Sequence, residues 1–221
     1  MTYERLQDAM ERFRLRPARA ANRQLEVQLY CCEELTRRGL YGAEIEKRLP
    51  GAYRDKMWDV GRISKTGEVT LGISCKSIIS NHAGTVPNRI DDMLGEAVNL
   101  HRRWPWAVTG YLFMMSRVDE SVDRRGKRNA AIAKGIPEQV VMREARESGD
   151  FWFGRLGDSV GEASDRLGPD DFPEKFEVVS CSLLDFDAGP PFPVQYHSLT
   201  PDPDEFFDRM VEIHRERFGN T

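Results

Sequence analysis

The segment from Lys56 to Ser77 most constrains the fold of this chain, because its pattern is that of two antiparallel strands joined by a tight turn. In its second half, apolar residues alternate with small or polar ones, as in a strand with one face in the core. The turn is predicted at Ser64–Gly67, which contains the glycine and polar residues that tight turns need. Folding about this turn brings Asp59 close to Ser74 and Lys76. The hairpin therefore gathers a carboxylate, a hydroxyl and an ammonium, a set that can hold a divalent cation and stabilise the charge on a phosphate under attack.

The rest of the chain predicts an α/β fold with a central mixed β-sheet flanked by helices. The apolar run Ala107–Met115 lies between breakers, which is typical of a central strand buried on both faces. Before this run, a helix is predicted from about Thr85 to Arg103, with the hydroxyl of its first residue as the N-cap. Residues 117–173 are expected to be charged, irregular insertions with one short helix near Val160. Residues 176–218 are expected to add a C-terminal strand and helix.

The composition is that of one soluble domain, predicted to span residues 1–221, since 40% of the residues are hydrophobic and 31% are charged. The formal net charge of -4 does not by itself indicate a nucleic-acid-binding protein, but basic residues cluster locally, so a basic groove is compatible with it. The four cysteines show no zinc-ligand spacing, and no glycine-rich motif predicts a nucleotide cofactor. Neither a signal peptide nor a membrane-spanning stretch is recognisable, so we expect a cytoplasmic protein without a membrane partner.

The order of a helix, a hairpin with Asp…Ser-x-Lys, a second helix and a buried strand resembles the restriction-endonuclease-like superfamily, the PD-(D/E)xK nucleases. The resemblance covers roughly the first half of the chain, with a core at about residues 21–115. Asp59 matches the family's first metal-binding aspartate, and Lys76 matches the lysine that supports the attacking water. Two positions depart from the family pattern: Trp58 stands where the family has proline, and Ser74 stands where it has a second acid.

Some type II restriction enzymes are similar in having Ser or Thr at that second position, and they take the missing carboxylate from the helix that follows. This resemblance implies Glu96 as the metal-binding carboxylate, with Asp92 as the alternative. It also implies a ligand from the backbone carbonyl of Cys75. A further carboxylate from the preceding helix is implied at Glu26 or, alternatively, at Glu33.

The resemblance implies a Mg²⁺-dependent DNA endonuclease that hydrolyses phosphodiester bonds, with Mn²⁺ able to replace Mg²⁺. It is most similar to a sequence-specific type II restriction enzyme that acts on double-stranded DNA as a homodimer. Asp59 and Glu96 then hold the metal, Lys76 orients the attacking water, and Ser74 contributes a hydrogen bond. Two alternatives stay open: a structure-selective repair or phage nuclease on the same fold, and a catalytically inactive DNA-binding protein, for which Ser74 is the main argument.

A polar loop, Ser77–Asn88, is predicted beside the site, and its short donors and acceptors suit base edges or phosphates. A solvated surface connection is an equally good interpretation of this loop. For the site itself, the alternative is a surface ion pair between Asp59 and Lys76, with Glu96 paired to a nearby arginine. The predicted DNA-contacting residues are Ser80, Asn81, His82, Asn88 and Arg89.

Overall fold

A six-stranded mixed β-sheet with helices on both faces lies at the centre of the protein, which confirms the predicted α/β class at this level. The computed structural model describes residues 2–15 and 24–219, so residues 21–23 of the predicted core lie outside the described part. In chain order the helices and strands are α1 (Thr2–Leu15), α2 (Leu25–Arg37), β1 (Glu44–Leu49), β2 (Lys56–Ile63), β3 (Val69–Ile78), α3 (His82–His101), β4 (Val108–Ser116), α4 (Val122–Ala133), α5 (Glu138–Glu162), β5 (Val178–Leu184), β6 (Val194–Tyr196) and α6 (Pro203–Phe218).

The strands follow the chain order across the sheet, from β1 at one edge to β6 at the other. β1, β2 and β3 pair antiparallel, β3, β4 and β5 pair parallel, and β6 returns antiparallel to β5. Parallel neighbours need a crossover between them. Helix α3 makes the crossover from β3 to β4, and helices α4 and α5 make the one from β4 to β5.

The sheet separates two hydrophobic cores, and β4 contributes to both. Every residue of β4 is buried, as predicted for a central strand. Leu112 packs into the core that α1, α2 and α6 cover, whereas Tyr111 and Phe113 pack into the core that α3 and α5 cover. Within residues 2–15 and 24–219, no helix combines the length and the apolar character needed to cross a bilayer.

Two sequence predictions about helices were wrong, and in each case a distant residue is the reason. Helix α3 begins at His82 rather than Thr85, because the Asp119 carboxylate accepts hydrogen bonds from the N–H groups of Asn81 and His82 and so caps the helix from outside it. Residues 117–173 are not irregular, since they hold α4 and the 25-residue α5. In α5, a Cβ atom on Gly149 would lie 1.8 Å from a backbone oxygen of the segment after β4, so close packing requires a glycine there despite its poor helix propensity.

Strands β2 and β3 separate at one end, and this fork surrounds Asp59. The two strands pair as far as Val60 and Ile73. Beyond that pair, β2 continues along β1 and β3 continues along β4. Asp59 is the first β2 residue past the fork, and the register places it opposite Ser74. On the other side of β2, the residue opposite Asp59 is Glu46, whose left-handed φ of 46° interrupts the pairing there too.

Candidate active site

Asp59 occupies the fork, and both of its carboxylate oxygens accept hydrogen bonds. Oδ2 accepts from the backbone N–H of Cys75 at 2.8 Å, from the Ser74 hydroxyl at 3.3 Å and from Lys76 Nζ at 3.4 Å. Oδ1 accepts from Gln28 Nε2 at 3.0 Å. Four donors from two elements therefore fix one side chain that is mostly buried.

The fork explains why the backbone of β3 reaches Asp59. Where β2 has moved away, the Cys75 N–H has lost the strand neighbour that would pair with it, and the carboxylate of Asp59 takes that place. A strand residue directs its N–H and C=O to the same side. The Cys75 carbonyl, predicted as a metal ligand, therefore faces the same side of β3 as Asp59.

Lys76 connects the hairpin to α3. Its ammonium lies 3.4 Å from Asp59 Oδ2 and 3.7 Å from Glu96 Oε1. The structure thus brings together the three charged residues that the sequence singled out, from β2, β3 and α3. Of the two carboxylates considered on α3, Glu96 faces this region, whereas Asp92 is exposed and pairs with Arg89 at 3.0 Å.

Glu96 carries an unsatisfied oxygen. The residue is only 6% exposed, and its Oε2 atom has no hydrogen-bond partner among the described residues. A buried carboxylate oxygen without a partner is costly, since such groups are normally bonded or coordinated. The other oxygen, Oε1, contacts Lys76 and Lys56.

Lys56 is a member of this group that the sequence prediction missed. It is the first residue of β2 and contacts Glu96 directly, with its ammonium 6.0 Å from the centre of the Trp58 ring. Burial lowers the pKa of the Lys56 amine, and the opposing attraction of Glu96 does not fully offset that effect. Its place on the first hairpin arm was visible in the sequence, but the reach across to α3 was not.

Gln28 is the second residue that the prediction missed. On α2 it is the Gln28 amide that donates a hydrogen bond to Asp59. Glu26 lies 3.6 Å from Arg12, and Glu33 is exposed. Gln28 and Cys31 lie on the face of α2 that packs against β3, where the Cys31 and Cys75 sulfurs are 3.7 Å apart. Gln28 lies three residues before the buried Cys31 and so on the same face of the helix. This helical spacing, rather than residue charge, is the sequence signal that identifies Gln28.

Tyr111 forms the floor of the site. It stands beside Ser74 in the parallel register and is fully buried, with the Lys76 ammonium 5.9 Å from the centre of its ring. Burial raises the pKa of its hydroxyl well above the usual range, and the nearby Glu96 carboxylate adds to that rise. The phenol is therefore neutral throughout the physiological range, and the floor adds no charge to the site.

The predicted DNA-contacting residues divide into two groups. Ser80, Asn81 and Asn88 are exposed, but the predicted loop is only residues 79–81, because β3 continues to Ile78 and α3, which carries Asn88, begins at His82. His82 is only 2% exposed, so its side chain is not available to DNA in this conformation, and that prediction does not fit the structure. Arg89 is held by its ion pair with Asp92.

The oxygen donors at the fork fit a hard dication better than a soft one. Within the described residues no cluster of three or more His, Cys, Asp and Glu side chains is placed to hold a metal. The fork instead offers two carboxylates, a backbone carbonyl and the Gln28 amide, whose Oε1 is also buried and has no partner in the described part of the chain. Mg²⁺ is commonly held by one or two carboxylates plus water and substrate phosphate. The orphaned oxygens of Glu96 and Gln28 are thus compatible with such an ion.

No protein-family model, curated protein or solved structure matches this chain. The geometry of the fork is therefore the main ground for a functional assignment.

Proposed function

We propose that the protein is a Mg²⁺-dependent DNA endonuclease built on a restriction-endonuclease-like core. The observation that carries the proposal is the position of the Lys76 ammonium, within 3.7 Å of carboxylates from both β2 and α3. The sequence resemblance predicts the same trio. Convergence of Asp59, Lys76 and Glu96 in one mostly buried corner goes beyond a surface ion pair across a hairpin, which was the simplest alternative.

In this proposal the metal is held by Asp59, Glu96, the Cys75 carbonyl and Gln28 Oε1, and Mn²⁺ replaces Mg²⁺. When bound, such an ion lowers the pKa of a water ligand and offsets charge on the phosphate. The Cys75 N–H and Gln28 hold the Asp59 carboxylate in a fixed orientation. That orientation is set before substrate arrives, so none of it has to be created during the reaction.

The lysines supply the positive charge of the site. Lys76 donates hydrogen bonds to the attacking water and stabilises the charge that develops on the phosphate oxygens. Lys56 positions Glu96 through its contact with Oε1. Ser74, which replaces the family's second acid, contributes a hydroxyl that can rotate between donating to Asp59 and accepting from water.

The proposed partner is double-stranded DNA, cut by a homodimer whose two sites act on the two strands. Sequence-specific cleavage is the first expectation, and structure-selective cleavage on the same fold is the second. A third candidate is a DNA-binding protein that does not cleave. One specific observation favours it: among the described residues, Lys56 and Lys76 balance the charge of the two carboxylates, and no third acid joins them.

The test is nicking of supercoiled plasmid by the full chain, with Mg²⁺ and with EDTA. We expect cleavage only with the metal, and we expect Lys76→Met to reduce the rate by roughly 100-fold or more, in line with the loss of one electrostatic stabiliser. Lys47→Ala is the matched control, because this lysine lies on β1 and pairs with the exposed Glu44. DNA binding should stay unchanged in both variants, and thermal unfolding should stay unchanged in Lys47→Ala, whereas Lys76→Met should lower Tm because two mostly buried carboxylates lose their cation.

Cleavage by Lys76→Met at the wild-type rate would remove the mechanism. Binding without any cleavage by the wild type would favour the inactive DNA-binding protein. Among cleaving outcomes, discrete fragments from linear DNA indicate sequence specificity, whereas preferential cutting of branched or nicked substrates indicates structure selectivity.

A further inference from the structure

The loop that joins β1 to β2, residues 50–55, is tied to the end of α3 by a set of hydrogen bonds from one side chain. Asn99 Oδ1 accepts from the backbone N–H groups of Tyr53 at 3.0 Å and Arg54 at 3.2 Å, and its Nδ2 donates to the Arg54 carbonyl at 2.9 Å. The Asn99 carbonyl accepts from the Ala52 N–H at 2.8 Å. The loop approaches so closely that a Cβ atom on Gly51 would lie 2.1 Å from Asn99 Nδ2.

Two further bonds complete the attachment. Trp104 Nε1 donates to the Pro50 carbonyl at 2.8 Å, and Arg103 donates to the Gly51 carbonyl at 3.3 Å. The backbone of the loop is thus fixed by the scaffold, while its side chains point outward. A preordered loop loses little conformational entropy when it binds a partner.

This loop displays the side chains of Tyr53, Arg54 and Asp55, and Arg102 at the end of α3 lies beside Tyr53. Tyr53 is 68% exposed, and the Arg102 guanidinium lies 6.0 Å from the centre of its ring. Arg54 and Arg102 are exposed, and neither has an ion-pair partner in the part of the chain that the structure describes. We call Tyr53, Arg54 and Arg102 the Tyr53 surface.

The Tyr53 surface is connected to the candidate active site through Lys56 and through α3. The loop leads directly into Lys56, which contacts Glu96. Asn99, which fixes the loop, lies one helical turn after Glu96 on α3. A strand of nucleic acid with one phosphate at the fork would therefore pass over this surface with its neighbouring nucleotides.

We propose that the Tyr53 surface binds the DNA strand beside the scissile phosphate. Arg54 and Arg102 contact flanking phosphates, and the Tyr53 ring stacks on an unstacked base, as found in a single-stranded overhang or beside a nick. Two arginines without acidic partners among the described residues and an exposed aromatic ring suit a single strand, because phosphates attract positive charge and every base offers a π-face. The choice of DNA rests on the proposed function, and the binding test below does not require cleavage.

The experiment measures binding of fluorescently labelled duplexes by anisotropy, with Ca²⁺ in place of Mg²⁺ and across a salt series. One duplex is blunt and the other carries a single-stranded overhang. We expect Tyr53→Ala to weaken binding of the overhang duplex by roughly tenfold or more, and that of the blunt duplex much less. We expect Arg54→Ala/Arg102→Ala to weaken both and to reduce the salt slope by about two, since two phosphate contacts are lost.

Phe151→Ala and Arg143→Ala are the controls, because they remove an exposed ring and an exposed arginine from α5. Wild-type affinity and salt slope in a folded Tyr53→Ala/Arg54→Ala/Arg102→Ala variant would overturn the proposal, as would absence of DNA binding by the wild type. Binding through this surface without cleavage would leave the proposal standing while the nuclease assignment failed. Cleavage by the triple variant with an unchanged KM would leave the nuclease assignment standing, and the proposal for the Tyr53 surface would fail.

Discussion

At the scale of single residues, the site depends on how one carboxylate is held. Asp59 makes its four hydrogen bonds with donors from α2 and β3, and only one of them comes from a side chain whose charge marked it in the sequence. Gln28 is the partner that matters most for metal chemistry, because it occupies the place where the family resemblance led us to expect a glutamate. Replacing its amide by a carboxylate changes the charge of the site with little change in shape.

We predict that Gln28→Glu is destabilised without metal and recovers with it. The variant puts two carboxylates in contact in a mostly buried corner, which costs about 1–2 kcal/mol and lowers Tm by roughly 2–8 °C in EDTA. Adding Mn²⁺ should restore Tm, since a ligand that binds only the folded state stabilises it by mass action. Thermal unfolding with EDTA and with Mn²⁺ measures both effects.

Gln28→Leu is the matched control, because it removes the hydrogen bond to Asp59 without adding charge. Its Tm should not recover relative to the wild type when Mn²⁺ is added, because leucine offers the ion no ligand. If Gln28→Glu also shows the same loss in both conditions, no dication binds at the fork.

At the scale of helices and strands, local patterns predicted the elements whose signals are local. The hairpin arms, the buried strand β4 and the helix α6 follow from alternation, an uninterrupted apolar run and amphipathic spacing. The short helix predicted near Val160 is the end of α5, but the start of α3 and most of α5 were missed, because a cap from Asp119 sets the first and a close contact at Gly149 requires a glycine inside the second. Charge type predicted Asp59, Lys76 and Glu96, but the contacts of Lys56 and Gln28 exist only once α2 and α3 have packed.

The attachment of the 50–55 loop to α3 gives a prediction at this scale. Asn99→Ala removes three hydrogen bonds to the loop backbone, and we expect a loss of roughly 1–3 kcal/mol in the free energy of unfolding. The local effect should be larger, with faster amide exchange at Tyr53 and Arg54 and weaker binding of overhang DNA. Hydrogen exchange measured residue by residue tests this directly.

Asn88→Ala serves as the comparison, since Asn88 is exposed on the same helix. Unchanged exchange at Tyr53 and Arg54 in Asn99→Ala would show that the side chain does not hold the loop.

At the scale of the whole molecule, buried ionisable groups join elements that are far apart in sequence. The Glu177 carboxylate accepts from Arg166 and Arg217 and from the Thr109 N–H and hydroxyl, so it links the start of β4 to α6. Burial acts to raise the pKa of Glu177, but His101 and Arg217 outweigh it and lower the pKa to about 2. On the opposite side of the hairpin, Arg62 Nη1 lies 3.3 Å from His214 Nε2.

We predict a dependence of stability on pH that His214 controls. Burial, reinforced by the Arg62 charge, lowers the pKa of His214 from 6.5 to about 4. Between these values the unfolded chain binds a proton that the folded protein does not, so the free energy of unfolding falls as pH drops from 6.5 to 4, by up to about 3 kcal/mol. Below pH 4 this contribution no longer changes, and the loss from protonating Glu177 follows between pH 4.5 and 2.

Urea unfolding of wild type and His214→Gln at several pH values measures this contribution. The variant keeps an acceptor for Arg62 but does not titrate, so its stability should change less between pH 6.5 and 4 than that of the wild type. Parallel curves for the two proteins over that range would contradict the prediction.

At the fork between β2 and β3, part of the backbone hydrogen bonding between the two strands is missing. Substitutions that let the two strands close beyond Val60 would add backbone pairing and raise thermal tolerance, yet they would turn the Cys75 amide and carbonyl away from Asp59. Stabilising mutations and reactive geometry therefore compete at this one corner. Directed evolution that selects for heat resistance and for activity together should consequently accept changes almost anywhere in the sheet before it accepts them at Glu46, Asp59 and Ser74.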